Sequence, residues 1–238
     1  MRLVTVSGPP SSGKTSVIVH AARELARLGV VSGIAKFDAL SSADQEIYES
    51  EGIPIVTGIS GGICPDHFFV TNIGDCLSWA REHRLDMLIS ESAGLCNRCA
   101  PHIRGVLAVC VVDILSGVHT PRKSGPMLRL ADMVVITKGD IVSQAERDVF
   151  AYHVRIANSR ASISFANGLT GQGAIGLASR FAGAESVETL DERHLRFSMP
   201  AAVCQYCVGE TAIGERYQRG YVKKMAFNGE QIAARGRP

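Results

Sequence analysis

The sequence has no apolar run long enough to span a bilayer. Its longest ones, such as residues 106–115, are interrupted by charge within about a dozen residues, whereas a transmembrane helix needs about 20. The first residues also lack the charged, apolar and cleavage regions of a signal peptide. We therefore expect a cytoplasmic protein with no membrane partner.

Long basic runs are missing before the C-terminal tail, and the net charge is only +2. Because nucleic-acid binding needs clustered positive charge, we expect no nucleic-acid partner. The seven cysteines are an odd number and cannot all pair within one chain, and a cytosol keeps thiols reduced. Four of them form two C-x-x-C pairs, Cys96 with Cys99 and Cys204 with Cys207, a pattern that indicates metal rather than disulfides.

Internal repeats and low-complexity linkers are absent too, and strand patterns alternate with helical ones. The predicted strands cover residues 3–7, 30–37, 53–58, 87–91, 105–113, 133–137 and 162–166, and the longer predicted helices cover 14–28, 71–83 and 143–157. This alternation predicts an α/β fold with a mostly parallel sheet flanked by helices. It fades near residue 183, so we expect a main domain over 1–182 and a small C-terminal appendage over 183–238 with a disordered end.

A phosphate-binding loop lies between the first predicted strand and helix. Residues 8–15, GPPSSGKT, match G-x-x-x-x-G-K-[ST] at every fixed position, which predicts a P-loop NTPase fold. In such loops backbone N–H groups and the helix N-terminus surround phosphate oxygens, the lysine reaches the β- and γ-phosphates, and the threonine hydroxyl holds Mg²⁺. The nucleotide-binding residues expected in this loop are Gly8, Ser11, Ser12, Gly13, Lys14, Thr15 and Ser16.

A second segment indicates which base is bound. Residues 137–140, TKGD, follow a predicted strand and resemble the guanine-reading [NT]-K-x-D motif of GTPases. The carboxylate of Asp140 can accept hydrogen bonds from guanine N1–H and its amine, a donor pair that adenine lacks. Thr137 and Lys138 complete the motif, and Asn167 with Gly168 lie one βα unit later, where such GTPases place another base-contacting loop. We therefore expect GTP and GDP as ligands, together with Mg²⁺.

The acidic residue after the predicted strand 87–91 makes the resemblance specific. Glu91 and Gly94 form E-x-x-G where most GTPases carry D-x-x-G. With the phosphate loop, TKGD and the LTGQG segment in the same order, residues 1–180 resemble the SIMIBI-class GTPases that insert metals. These are the hydrogenase and urease nickel-insertion proteins and their CobW relatives. The resemblance implies a homodimeric GTPase that acts with a client metalloenzyme or an accessory protein.

The resemblance also implies roles for particular residues. Lys14, Glu91 and Asp38 become the catalytic candidates, because water must attack the γ-phosphate under positioned charge. Lys14 would stabilise charge, Glu91 would orient the water or contact Mg²⁺ from its outer shell, and Asp38 would lie beside Mg²⁺ or the water.

The segment GISGGICPDHFF, residues 58–69, resembles the Cys/His loop with which these proteins bind nickel or zinc across a dimer interface. Here Cys64 and His67 would be the ligands. Asp66 is inserted before the histidine, which changes the direction of the imidazole. Thiolate and imidazole together suit nickel or zinc better than magnesium.

The pair Cys96 and Cys99 goes beyond the pattern of the family it resembles, in which this segment is often apolar or has a single cysteine. Cys96, Cys99 and His102 lie within seven residues directly after the E-x-x-G turn, and Cys204 with Cys207 follow far along the chain. Both pairs are candidate metal ligands, for zinc or for an iron–sulfur cluster, within one chain or across a dimer.

The function expected is a Mg²⁺-dependent GTPase that acts as a metallochaperone for nickel or zinc. An ATP-driven iron–sulfur carrier or electron-transfer protein that uses the C-x-x-C pairs is the first alternative. A small-molecule kinase is the second, although the segment 119–130 would make a poor Arg-rich lid.

Overall fold

A computed structural model describes residues 1–40, 44–200, 202–218 and 222–227 of the chain. Strands and helices alternate in it, as expected. The strands are β1 (Arg2–Ser7), β2 (Ser32–Asp38), β3 (Ile55–Ile59), β4 (Met87–Ser92), β5 (Leu107–Asp113), β6 (Met133–Thr137) and β7 (Ser162–Ala166). The helices are α1 (Lys14–Arg27), α2 (Asp44–Ser50), α3 (Pro65–Glu82), α4 (Thr120–Lys123), α5 (Gly125–Arg129), α6 (Gln144–Ala157) and α7 (Ala174–Ala182).

The strands form one seven-stranded parallel sheet in the order β3-β2-β4-β1-β5-β6-β7. The α/β fold with helices on both faces is therefore confirmed. Since all carboxyl ends of the strands meet at one edge, the loops that follow β1, β2, β4, β5 and β6 converge there. This edge carries every nucleotide-site residue named from the sequence.

Helices cover both faces of the sheet and bury nearly all side chains of β1, β2, β4, β5 and β6, whereas the edge strands β3 and β7 are partly exposed. Helices α1, α2 and α7 pack on one face, and α3, α5 and α6 pack on the other. Strands buried on both faces read as nearly continuous apolar runs, which explains the strand patterns. Lys36 in the middle of β2 breaks that pattern while only 3% of its surface is exposed, so a charged group lies inside the core.

The sequence-based start of the third helix is wrong. The expected helix began at residue 71, but α3 begins at Pro65, with Cys64 as its N-cap. The first residue of a helix has no intrahelical partner for its backbone N–H, and the fixed φ of proline suits a helix, so proline is favoured at this position. This signal was available in the sequence. The correction places Asp66 and His67 in the first helical turn rather than in a loop.

The C-terminal segment packs on the helix that Pro65 opens. Leu195, Ile213 and Met225 belong to the same buried cluster as the α3 side chains. The amide of Asn72 in α3 donates to Lys223 O at 2.9 Å, and its carbonyl accepts from Met225 N at 2.8 Å. The domain boundary near residue 183 stays a prediction, and the disordered end predicted for the appendage lies in 228–238, outside the described residues.

The sequence has a capping-box spacing at Ser42 with Gln45 and at Ser143 with Glu146, each predicted to open a helix. The box at Ser143 is present in both directions at the start of α6, whereas Ser42 lies outside the described residues. The segment 119–130 forms α4 and α5, with Met127 and Leu128 fully buried.

Candidate nucleotide and metal site

The phosphate loop has a backbone that only glycine tolerates at its ends. Gly8 has φ 150°, and an added Cβ would lie 2.0 Å from Val111 O. Gly13, with φ 87°, is the left-handed N-cap of α1. The loop therefore turns between β1 and α1 against the end of β5, with the N-terminus of a 14-residue helix behind it.

Side chains inside this loop fit a phosphate ligand. Lys14 is buried, and its Nζ donates to Gly8 O at 3.0 Å and to Pro9 O at 2.9 Å, both carbonyls of its own loop. Burial lowers the pKa of Lys14 below its usual value. Ser12 Oγ is buried without a hydrogen-bond partner in the described part of the chain. Phosphate oxygens could accept hydrogen bonds from the Lys14 ammonium, which now binds carbonyls of its own loop, and from the Ser12 hydroxyl, which has no partner among the described residues.

Glu91 at the end of β4 joins three elements around the loop. Thr15 donates from Oγ1 to Glu91 Oε1 at 2.9 Å, and Lys36 donates to the same oxygen at 2.7 Å. Tyr48 donates its hydroxyl to Oε2 at 2.7 Å. Glu91 is 1% exposed, and both of its carboxylate oxygens accept hydrogen bonds. The residue indicated by E-x-x-G therefore contacts Thr15, the threonine expected to hold Mg²⁺.

Sequence reasoning missed Lys36 and Tyr48, although a lysine within an apolar buried strand was a readable signal. Lys36 bridges Glu91 and Asp44, with Nζ 2.6 Å from Asp44 Oδ2. Burial alone lowers the pKa of Lys36, but the two carboxylates raise it above its usual value. Burial and the charge of Glu91 raise the pKa of Tyr48 well above 10.0. Lys36 is therefore a buried cation that neutralises Glu91.

Gly94 shows why the E-x-x-G turn ends in glycine. Its φ is 69°, and an added Cβ would lie 1.7 Å from Gly8 O. The turn after β4 therefore touches the phosphate loop backbone directly, and any side chain at this position would push the two apart.

The TKGD segment is attached to the phosphate loop. Thr137 donates from Oγ1 to Ser12 O at 2.7 Å. Lys138, with φ 59°, places its Nζ 2.5 Å from Asp113 Oδ2 and 3.3 Å from Ser11 O. Asp140 is exposed at the same edge. The threonine thus fixes the segment, and the carboxylate of Asp140 remains accessible to a base.

Asn167 and Gly168 complete this end of the site. Asn167 Oδ1 accepts from Leu169 N at 2.8 Å and from Thr170 N at 3.1 Å, so its side chain shapes its own turn. Gly168 lies against Ser16, and its carbonyl is 3.1 Å from His20 Nε2. The structure therefore brings this turn to α1, and its contact with a base stays a prediction.

Asp38 ends β2 and accepts a hydrogen bond from Ala39 N at 2.7 Å. Its carboxylate thus caps the loop that follows β2. Its role beside Mg²⁺ or water stays a prediction.

A cluster of thiols and a carboxylate forms next to the nucleotide site. Ligand atoms of Cys64, Asp66 and Cys99 all lie within 4.8 Å of one another. Cys99 Sγ is 3.1 Å from Asp66 Oδ2, and Ser92 donates from Oγ to Asp66 Oδ1 at 2.9 Å. We call Cys64, Asp66 and Cys99 the thiol–carboxylate cluster. Asp66, read from the sequence only as an insertion, is the residue that connects it.

The three groups of the cluster shift one another's protonation. The hydrogen bond from Cys99 lowers the pKa of Cys64, and the same contact together with burial raises the pKa of Cys99 far above its usual value. Burial raises the pKa of Asp66, although hydrogen bonds from Cys99 and Ser92 partly offset this. Cys64 is consequently the thiol of the cluster most ready to act as a thiolate.

The C-terminal C-x-x-C pair lies beside the first turn of α3, outside the thiol–carboxylate cluster. Cys207 Sγ is 3.9 Å from Nδ1 of the buried His67, and the Tyr206 hydroxyl donates to Gly62 O at 3.1 Å. Burial, followed by the charges of Cys204 and Cys64, raises the pKa of Cys207 to about 12. The structure thus brings Cys99 to Cys64 and Cys207 to His67, two contacts that spacing alone did not predict.

Two residues grouped with these ligands in the sequence have other surroundings. His102 is fully buried, with Nδ1 3.1 Å from Thr5 Oγ1 and Nε2 3.0 Å from Met127 O, and burial lowers its pKa to about 4. It is a core residue whose two ring nitrogens are both engaged. Cys96 lies outside the thiol–carboxylate cluster, and its Sγ accepts from Arg98 N at 3.4 Å.

Comparison with known proteins identifies the family. A model of the CobW/HypB/UreG nucleotide-binding domain matches residues 2–165. The chain belongs to this family. An uncharacterized protein of Methanocaldococcus jannaschii is 42% identical over 234 residues, which cover 97% of this chain and 100% of that protein. Urease accessory protein UreG of Streptomyces coelicolor is 27% identical over 156 residues, 61% of this chain and 68% of that protein.

Solved structures show the same fold. HypB from Helicobacter pylori, in complex with nickel, superposes with a TM-score of 0.62 at 14% identity, covering 79% of this chain and 91% of that one. The P-loop NTPase fold and the resemblance to SIMIBI-class metal-insertion GTPases are thereby confirmed.

Membership in the CobW/HypB/UreG family makes this chain a nucleotide-binding domain of the P-loop GTPase type. The matched residues contain the phosphate loop and the thiol–carboxylate cluster. Cys204 and Cys207 lie beyond them, in a region that the Methanocaldococcus match spans. No helix in the described part of the chain is long and apolar enough to cross a membrane.

Proposed function

We propose that this protein is a Mg²⁺-dependent GTPase that carries nickel to a client metalloenzyme or accessory protein. The family assignment supports the GTPase part, and the relatives named urease accessory protein UreG and nickel-bound HypB support nickel as the cargo. The family does not favour an ATP-driven iron–sulfur carrier or a small-molecule kinase.

The observation that supports this proposal most strongly is a series of hydrogen bonds that runs from the phosphate loop through β4 to the thiol–carboxylate cluster. Thr15 of the phosphate loop donates to Glu91, and the next residue, Ser92, donates to Asp66, which is 3.1 Å from Cys99. Successive strand residues point to opposite faces, so β4 turns one side chain to the nucleotide site and the next to the cluster. A displacement of β4 by nucleotide would therefore move the ligands of the cargo ion.

The chain's own residues would position the nucleotide. Lys14 would exchange its two loop carbonyls for phosphate oxygens, and Ser12 Oγ would gain a partner. Mg²⁺, when bound through Thr15, supplies positive charge at the phosphates. Glu91 would hold the Thr15 hydroxyl in place, which makes it an outer-shell residue for the metal.

A dimer is part of the proposal. Cys64 is half-buried and belongs to a turn at the protein surface, whereas His67 is 1% exposed within its own chain. Of the two residues, Cys64 is the one that a second subunit can approach. GTP would favour the association that brings two such turns together.

Turnover and cargo release test the proposal together. The wild-type protein should hydrolyse GTP slowly and ATP much less, and Lys14→Ala should lose tight nucleotide binding. Glu91→Gln should keep nucleotide affinity within a few-fold and slow turnover by about 100-fold. With a colorimetric chelator as acceptor, nickel-loaded wild type should release its ion on GTP turnover, whereas Glu91→Gln should retain it.

Release at the same rate with GDP would contradict the proposal, as would equal affinity for ATP and GTP. Unchanged turnover in Glu91→Gln would make this carboxylate a purely structural group. Arg23→Gln, which removes a surface pair with Glu51 outside the site, is the matched control and should behave as wild type.

A further inference from the structure

We propose that residues 202–210 form a lid that closes over His67 and keeps it from contact with a second molecule until the lid opens. We call this segment, AVCQYCVGE, the C-terminal lid. It lies beyond the matched family domain, which ends at residue 165. The dimer whose formation the lid would control rests on the proposed function, whereas the lid itself is argued from contacts within one chain.

The start of α3 is buried on all sides. Each of the nine residues from Pro65 to Ile73 is buried, whereas later in the helix only Cys76, Leu77 and Ala80 are. A helix that packs on one face of a sheet buries a single stripe with this later spacing and leaves its outer side exposed. A second layer of chain therefore covers the outer side of the first two turns.

The chain that follows the lid provides part of this second layer and is attached by hydrogen bonds. Gly214 donates from N to Val70 O at 3.2 Å. Lys223 donates from Nζ to Ile59 O at 2.7 Å and to Ser60 O at 3.2 Å. These bonds fix the chain on α3 and on the turn after β3, so the lid is continuous with an anchored segment.

The lid lies on His67. The ring of Tyr206 is tilted by 33° relative to the imidazole, with the ring centroids 5.6 Å apart, and its hydroxyl donates to Gly62 O at 3.1 Å. Cys207 Sγ is 3.9 Å from His67 Nδ1. His67 is 1% exposed, although its helix begins at the turn that contains the half-buried Cys64. Tyr206 is therefore the side chain that closes the lid over the histidine.

Backbone strain lies at the C-terminal end of the lid. Val208 has φ 51° and Gly209 has φ 80°. A β-branched residue in the left-handed region is strained, and such strain persists only where the surroundings enforce it. Shortly after this pair the chain is fixed, because Leu195 donates from N to Thr211 O at 2.7 Å. The strained pair therefore lies between the lid contacts and an anchored residue, where a change in φ would swing the lid open and relieve the strain.

The turn under the lid is joined to the nucleotide site. Ser60 donates from N to Asp38 O at 2.8 Å, which attaches the turn after β3 to the end of β2. Gly62, the acceptor of the Tyr206 hydroxyl, belongs to the same turn. Because β2 ends at the edge of the sheet that carries the nucleotide site, a movement of the loop after β2 on GTP binding would shift Gly62 and loosen the lid.

Chemical modification of His67 tests the lid. Diethyl pyrocarbonate acylates accessible imidazoles, and mass spectrometry of the reduced full-length protein gives the rate at His67, with the exposed His83 as internal reference. Tyr206→Ala removes both the ring contact and the hydrogen bond, so the rate at His67 should rise at least about tenfold. Tyr206→Phe keeps the ring and should give a smaller rise. The matched control is Tyr152→Ala, which removes a tyrosine from a comparable contact with His153, at 6.0 Å between ring centroids, and should leave the rate at His67 unchanged.

The inference is overturned if His67 reacts in Tyr206→Ala as it does in wild type, or if Tyr152→Ala raises its rate as much. The fully buried His102 should stay unreactive in every variant, which distinguishes an open lid from an unfolded chain. With a non-hydrolysable GTP analogue, light scattering should show that Tyr206→Ala dimerises at about tenfold lower protein concentration than wild type, because more of it is competent to associate. Equal dimerisation would refute control by the lid. Exposure of His67 without any dimer in either protein would count against the proposed function and leave the lid standing.

Discussion

Replacing Lys36 by methionine should destabilise the protein strongly. The ammonium lies 2.7 Å from Glu91 Oε1 and 2.6 Å from Asp44 Oδ2, and the side chains of Lys36 and Glu91 are 3% and 1% exposed. Methionine leaves Glu91 buried with only the neutral donors Thr15 and Tyr48. Breaking a buried pair from one side costs about 3–5 kcal/mol, because the remaining charge is uncompensated.

A double-mutant cycle measures this pair. In Glu91→Gln the lysine keeps Asp44, so we expect a smaller loss of about 1–3 kcal/mol. In the double variant no uncompensated charge remains at Glu91, so its loss should fall short of the sum of the single losses by about 1–3 kcal/mol. Urea unfolding of the nucleotide-free protein, followed by circular dichroism, provides the free energies.

Lys224→Met is the matched control, because Lys224 pairs with Asp75 at 2.5 Å on the surface, where the two side chains are 28% and 45% exposed. A surface pair contributes about 0–1 kcal/mol. If Lys36→Met loses no more than Lys224→Met, or if the two single losses are additive, the assignment of Lys36 as the counter-charge of Glu91 is refuted.

Two further predictions concern the base and the core. Asp140→Asn should weaken GTP binding at least about tenfold and favour a xanthine nucleotide, because the amide replaces an acceptor with a donor; calorimetry showing equal losses for both nucleotides would contradict this. His102 has a pKa of about 4 in the folded protein against 6.5 in the unfolded chain, so protons bind preferentially to the unfolded state as the pH falls from 6.5 to 4. Wild type should therefore lose about 3 kcal/mol more stability than His102→Gln between pH 7 and pH 4, and equal losses would show that the imidazole does not titrate as a buried group.

The fold could be predicted from the sequence because its signals are local. Apolar strands, the phosphate loop and the capping box at Ser143 each depend on a few neighbouring residues. The start of α3 was missed because Pro65 was read as part of a Cys/His loop rather than as a first helical residue. Correcting it changes which direction Asp66 and His67 face.

The candidate site was predictable only where a motif specifies it. Glu91 follows from E-x-x-G, but its partners Lys36 and Tyr48 are fixed by strand register and helix packing. Lys36 is directly opposite Glu91 in the pairing of β2 with β4, a relation that no spacing reveals. The meeting of Cys99 with Cys64 likewise depends on tertiary structure, since 34 residues of chain lie between the two cysteines.

The central claim is that nucleotide and cargo ion communicate through β4, and nickel affinity measured with GDP and with a non-hydrolysable GTP analogue tests it most directly. Coupling between sites of this kind is typically about 5–150-fold, so wild type should show a ratio of affinities of about tenfold. In Ser92→Ala, which removes the hydrogen bond to Asp66 Oδ1 and the 3.4 Å bond from Gly94 N, that ratio should fall towards one. Equal nickel affinities in both nucleotide states of the wild type, or an undiminished ratio in Ser92→Ala, would contradict the account.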